Sequence, residues 1–235
     1  MTNPWHETLG VFDLETTGID VESSRIVSAY VGVLGADGEA KGVSWLADPG
    51  IEIPSQATAV HGISTERARA EGRPAPEVVA EIVAVLRALL AQNVPITIFN
   101  APYDLTLLNR EALRYGVEPL ENPAPIIDPL VLDKAMDTYR KGKRTLEVAA
   151  GHYGVELSDA HDAMADAVAA GRVVQAMAKK FAAELGDDLV DLHGRQVIWC
   201  ADQAASFQAF RRRTNPDFTT SGEWPERLAL SPAHG

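Results

Sequence analysis

The chain has 235 residues, 46% apolar and 23% charged, which allows one sizeable domain plus an extension and is short for two full domains. A formal net charge of −12 counts against a static duplex-binding module, which is more often basic, but not against an enzyme that handles a nucleic-acid end transiently. Cys200 is the only cysteine, so an intrachain disulfide and a cysteine-built zinc site are excluded, and a reducing compartment fits.

Met1 to Leu9 lacks the basic-then-apolar pattern of a signal peptide. The longest apolar stretch, Val78 to Leu90, is broken by Glu81 and Arg87 and is too short and too charged to span a membrane. The cytoplasm is the expected location, with no membrane partner.

In chain order, Leu9 to Leu14 reads as a short strand ended by the turn-like Thr16-Thr17-Gly18. A second strand is expected over about Ile26 to Leu34, a turn at Asp37-Gly38, and a third strand near Val43 to Leu46, together an antiparallel meander. Pro76 opens a helix whose Val79, Ile82, Val83, Leu86, Leu89 and Leu90 recur at helical spacing. Pro95 to Phe99 reads as a short buried strand. Pro102 suits the first turn of the next helix, which runs to about Tyr115 and ends at Gly116. Ile126-Ile127 is a brief strand, followed by helices near Pro129 to Asp137 and Thr145 to Tyr153. A long helix is expected over Asp162 to Leu185, with Met164, Val168, Gly171, Val174, Ala178 and Phe181 on one stripe. Asp187 to Arg213 reads as one more helix, and Thr214 to Gly235 as an extended or frayed tail. The order predicts an α/β fold, a mixed β-sheet flanked by α-helices. The expected division is a catalytic domain over residues 1–185 and a C-terminal helical extension and tail over 186–235.

Three acidic signals stand out. Asp13 and Glu15, two apart on a strand, project from one face while Leu14 turns toward the core. Adjacent carboxylates repel unless a hard cation such as magnesium or manganese sits between them; the plainer reading is a solvated strand end. Asn100 and Asp104 lie where a strand hands over to a helix, a common gathering point for ligands in α/β sheets. Asp104 also suits a helix start, and Asn100 a turn or cap. His161 and Asp166 are five apart, about 140° on a continuous helix, which separates them. They share a site if His161 lies on the approach to the helix and Asp166 one turn inside, with Asp162 as N-cap; Asp162 itself is the rival ligand.

The blocks Phe12 to Gly18 (FDLETTG), Val60 to Ser64 (VHGIS), Phe99 to Asp104 (FNAPYD) and His161 to Ala167 (HDAMADA) come in this order. With them the sequence, over about Leu9 to Lys180, resembles the DEDD exonuclease superfamily. The match is to its DEDDh, DnaQ-like branch, which includes the proofreading epsilon subunit of bacterial DNA polymerase III and ribonuclease T. The resemblance implies a ribonuclease H-like fold and 3′→5′ hydrolysis of terminal phosphodiesters of DNA or RNA to nucleoside 5′-monophosphates.

By motif match it assigns Asp13, Glu15, Asp104 and Asp166 to two divalent metals, Mg2+ or Mn2+, and His161 to the general base. A histidine, with an ordinary pKa near 6.5, can take a proton from water near neutral pH. Two cations about 3.5–4 Å apart can clamp the attacking and leaving oxygens. Thr16 and Thr17 match positions that approach the terminal sugar, partly through backbone N–H groups. Ile19 stands either to wedge against a base or to pack after a turn. His61 and Tyr103 match positions lining the nucleotide pocket, with a local loop hydrogen bond as the alternative for His61. Asn100 bonds the substrate or braces the metal ligands. The run Arg140 to Arg144 either neutralises phosphates or is a solvated loop, and Arg211 to Arg213 reads as a solvated helix end.

The expected partners are single-stranded or frayed 3′ ends. A stand-alone exonuclease leads. A polymerase-bound subunit, docking through the stretch with Trp199, Phe207 and Phe210, is the second reading, and that stretch is favoured to pack back on the domain. An inactive nucleic-acid-binding adaptor is the third.

Overall fold

Strand β1 (Leu9–Thr16) is buried on both faces. Such a strand must lie in the middle of a covered sheet, and it does. In the computed structural model, which describes residues 4–157 and 161–228, six strands run in the order β4-β3-β2-β1-β5-β6. The three-stranded meander is β1, β2 (Ile26–Leu34) and β3 (Ala40–Asp48), paired antiparallel. Beyond β1, β5 (Ile96–Thr97) and β6 (Ile126–Ile127) are parallel; at the other edge two-residue β4 (Arg73–Pro74) runs parallel to β3. This is the mixed, helix-flanked sheet that the sequence predicts.

The alternation along β1 divides the core. Phe12 and Leu14 enter one cluster, with α3 (Ala75–Ala91) and α4 (Ala101–Arg114). Leu9 and Val11 enter the other, with α7 (Ala163–Lys180). Asp13 and Glu15 continue the second series and so face α7. At Gly171 that helix touches the sheet: a Cβ there would meet Val11 and Leu34 side-chain carbons at 2.6 Å. Only glycine permits this approach, which brings the N-terminal half of α7 down over the end of β1.

Several expectations change. Two short helices, α1 (Ser55–His61) and α2 (Thr65–Glu71), occupy a stretch with no strong periodicity in the sequence. The long helix breaks at Phe181, whose backbone leaves the helical region, and resumes as α8 (Ala182–Leu185). Met164 is exposed rather than on the buried stripe. Helices α5 (Pro129–Met136) and α6 (Leu146–Tyr153) lie where expected.

The last helix, α9 (Leu189–Arg211), packs on α5 and β6 through Leu192 and the buried Gln196. The tail is not frayed through residue 228: Trp224 is 6% exposed and joins the first core cluster. A buried indole removes a large apolar area from water, and its N–H needs an acceptor. Residues 229–235, also assigned to the tail, lie outside the described residues. No described helix is long and apolar enough to cross a membrane.

Candidate active site

Four carboxylates from three elements converge at the C-terminal end of β1. Asp13 and Glu15 come from the strand, whose pairing with β2 shifts register between Glu15 and Thr16. Such an irregularity re-aims side chains at a strand end. Asp104 arrives on the first turn of α4 and is buried. Asp166 arrives on the first turn of α7.

His161 sits just before that helix with φ +71°, so it is off the helical path. Its backbone N–H donates to Asp166 Oδ2 at 3.1 Å. Asp162 caps α7, accepting from the Met164 and Ala165 N–H groups. A five-residue spacing that separates two side chains on a helix thus becomes a shared site, because His161 lies ahead of the helix. Ligand atoms of Glu15, His161 and Asp166 lie within 4.8 Å of one another.

The electrostatics are those of an uncompensated anionic cluster. Burial pushes Asp13 well above the ordinary carboxylate range, and Asp104, Asp166 and Glu15 push it further. Burial, then Asp166 and Asp162, raise Glu15 to about 8. Burial raises Asp104 against the pull of backbone N–H groups. Burial also raises Asp166, whose Oδ1 is buried without a hydrogen bond. Among the described residues no lysine or arginine pairs with any of the four. Buried carboxylates are ordinarily paired or coordinate a metal. An oxygen-rich set of this kind, with one unpartnered buried oxygen, fits a hard divalent cation.

Other residues assigned to the site divide. Tyr103 and Thr16 meet: their hydroxyl oxygens are 2.5 Å apart, and each lies in hydrogen-bond contact with the Gly18 carbonyl. Burial pushes the Tyr103 phenol to about 12, so it stays a donor. His61 ends α1 with Gly62 in the left-handed region behind it. Its Nδ1 accepts from the Ile63 N–H at 3.2 Å, the local loop bond, which leaves the proton on Nε2, buried and without a partner. Burial holds His61 below the ordinary histidine value; the Thr16 backbone opposes this and His161 adds to it. His61 therefore faces Thr16 and His161. Ile19 is 92% exposed, which removes the core-packing alternative.

Three expectations need correction. Thr17 is buried, and its N–H and hydroxyl are both bonded to the backbone of Arg25, so no Thr17 donor is free for a sugar. Asn100 makes no side-chain bond to the acids; it adopts φ +64° and its N–H donates to Asp128. Arg140 and Arg144, expected either on phosphates or in solvent, both bind the buried Asp133, with Arg144 Nη1 at 2.8 Å and the Tyr153 hydroxyl donating to the other oxygen.

Sequence reading missed Asp128. It is buried at the end of β6 and accepts from the N–H groups of Asn100, Ala101 and Leu130 at 2.9–3.0 Å and from the Trp224 indole at 3.3 Å. It thus ties together the starts of α4 and α5, and the first of these carries Asp104. An acid before Pro129 signals only a helix cap; its other three bonds depend on the tertiary arrangement.

With this geometry in hand, the chain was compared with known proteins. The profile of the RNase_T family, described as an exonuclease family, matches residues 11–174. A DNA polymerase III PolC-type of Clostridium perfringens is 27% identical over 189 residues, 80% of this chain and 12% of that protein. A DNA polymerase III subunit epsilon-like protein of Rhodobacter capsulatus is 28% identical over 199 residues, 80% of this chain and 27% of its own length. The chain therefore spans roughly an eighth and a quarter of these two relatives. Among solved structures, E. coli exonuclease I in complex with a dT13 oligonucleotide superposes with a TM-score of 0.64. The identity is 20%, over 75% of this chain and 42% of that one, a likeness of fold.

Proposed function

Given that the chain belongs to the RNase_T exonuclease family and is a nuclease, we propose that it removes nucleotides from the 3′ end of a single-stranded or frayed nucleic acid, releasing nucleoside 5′-monophosphates. The observation that carries this reading is the convergence of Asp13, Glu15, Asp104 and Asp166 beside His161 with no cation of the protein's own.

Two divalent ions, magnesium or manganese, supply the positive charge that offsets the scissile phosphate and acidifies water. Asp13, Glu15, Asp104 and Asp166 hold them, and the buried site keeps that charge from being screened. His161 takes the proton of the attacking water. Its place ahead of α7, fixed by its own N–H on Asp166, leaves the imidazole free to do so. Thr16 and Tyr103 brace the turn at Gly18 that presents the exposed Ile19 toward the terminal base. His61 offers an unpartnered Nε2–H beside Thr16. Water attacks in line, and the 3′ oxygen leaves. Asp128 holds the backbone on which Asp104 is mounted.

A polymerase partner is supported by the names of the two relatives, both of DNA polymerase III. On α9, Val190, Ile198 and Phe210 are exposed. The dT13 complex of the structural relative supports a single-stranded substrate.

The test is a time course on 3′-labelled and 5′-labelled single-stranded DNA and RNA of one sequence, with magnesium, manganese or chelator, beside Asp13→Ala. A metal-dependent ladder shortening from the 3′ end, absent in the variant, supports the reading. Shortening from the 5′ end, or chelator-resistant cleavage, overturns it.

A further inference from the structure

Between α5, α9 and the C-terminal segment lies a cleft of about 840 Å3, within the size range of ligand sites. It shares a wall with the acid cluster. Asn100 and Pro102, at the start of α4, line the cleft, while Tyr103 and Asp104 of the same turn face the acids and the Gly18 turn. Asp128 on the cleft floor is close enough to raise Asp104 through charge.

The charge balance inside the cleft favours an anion. Asp128 is engaged by four N–H donors, and Arg144 is held by Asp133. Lys134 and Arg227 both lie near the Cys200 thiol, and among the described residues neither makes an ion pair. Asp202 and Glu223 stand at the exposed side. At the mouth, beside the lining residues Thr138 and Gly142, the loop exposes Lys141, Lys143 and a Tyr139 that is 93% open. Phe207, half exposed, supplies an aromatic wall. Free cations interleaved with aromatic rings are what a single strand requires, for phosphates and for base stacking. The α9 wall lies beyond residue 174, where the family match ends.

We propose that this cleft holds the single strand immediately upstream of the nucleotide being removed, with Lys134 and Arg227 on its phosphates and Phe207 against a base. This rests on the exonuclease reading above. The shared first turn of α4 is the passage: the scissile phosphate lies on its Asp104 side and the preceding nucleotides cross Asn100 and Pro102 into the cleft. Neither cation touches the reacting atoms, so their contribution depends on substrate length.

The test compares wild type with the double variant Lys134→Ala/Arg227→Ala and with Lys134→Arg. The substrates are a 20-nucleotide single strand of the preferred sugar and the p-nitrophenyl ester of thymidine 5′-monophosphate, which has no upstream nucleotides. The double variant should raise KM for the strand about tenfold and flatten the salt dependence of its binding by roughly one unit of log–log slope. It should leave turnover of the ester unchanged, and Lys134→Arg should retain wild-type values. An unchanged KM for the strand overturns the proposal, as do equal losses on both substrates. If wild type cleaves neither substrate, the exonuclease reading fails. The cleft is then decided by fluorescence anisotropy of the labelled strand, and equal affinity for wild type and the double variant overturns it.

Discussion

Trp224 donates its indole N–H to Asp128 across 96 residues of chain, at 3.3 Å, and both partners are buried. The same carboxylate holds the first N–H groups of α4, the helix that carries Asp104. The tail is therefore linked through one acid to the frame of the candidate metal site.

Truncation after Thr214, or Trp224→Ala, should cost about 3–5 kcal/mol, the usual range for deleting a buried large aromatic. Trp224→Phe keeps most of the packing and loses the hydrogen bond, so a smaller cost of about 1–3 kcal/mol is expected. Urea unfolding monitored by tryptophan fluorescence and circular dichroism measures both. A truncated chain with an unchanged midpoint would show that the contact contributes nothing.

Asp13→Ala should lower turnover by several powers of ten, on the order of the losses seen when a catalytic electrostatic partner is removed. Its global stability without metal should rise or hold, because the substitution removes one charge from a mutually repelling cluster. Steady-state turnover and a thermal melt, run on the same preparation, check the two halves separately.

His161→Ala should lose most turnover, by roughly a hundredfold or more, while divalent-ion affinity, read by calorimetry, is retained. The close approach of His161 to Glu15 and Asp166 makes this comparison decisive. Collapse of metal affinity would reassign His161 as a ligand.

Metal-free protein should lose stability as pH rises. Glu15 is raised from 4.5 to about 8 in the folded state, so its proton is held more tightly folded than unfolded. That stability is fully present below about pH 4.5 and is lost as pH climbs through about 8. Magnesium or manganese should restore the melting temperature at pH 8 and do little at pH 5. Melts at the two pH values with and without chelator give the answer; a metal-free protein more stable at pH 8 contradicts the cluster's electrostatics.

Asp133 works in the opposite sense. Burial raises it, but the hydrogen bonds from Arg144 and Tyr153 and the charges of Arg144 and Arg140 outweigh burial and lower it. This stability is present above the ordinary aspartate value and is lost as pH falls through the lowered one. Arg144→Ala should cost about 3–5 kcal/mol, since it leaves a buried charge short of a partner. The loss should show as a shifted denaturation midpoint at pH 7 that narrows toward pH 3. A shift independent of pH would deny the ion pair its role.

The order of strands and helices was legible in the sequence because periodicity and turn chemistry are local. Leu9 to Thr16 is apolar enough to be central, Pro102 and Asp162 mark helix starts, and Gly116 marks a helix end. The four carboxylates and the histidine were legible too, as acids placed at a strand end and at two helix starts, where charge has no structural need. What stayed hidden depends on contacts between residues far apart in the chain. Helices α1 and α2 carry no long amphipathic stripe. Arg140 and Arg144 read as solvated until Asp133 is seen buried between them. Thr17 and Asn100 face away from the reacting centre because Arg25 and Asp128, distant in sequence or across a turn, claim their backbone groups. Asp128 and Trp224 are ordinary residues taken one at a time. Only packing, which removes both from water and leaves each as the other's partner, joins the tail to the site.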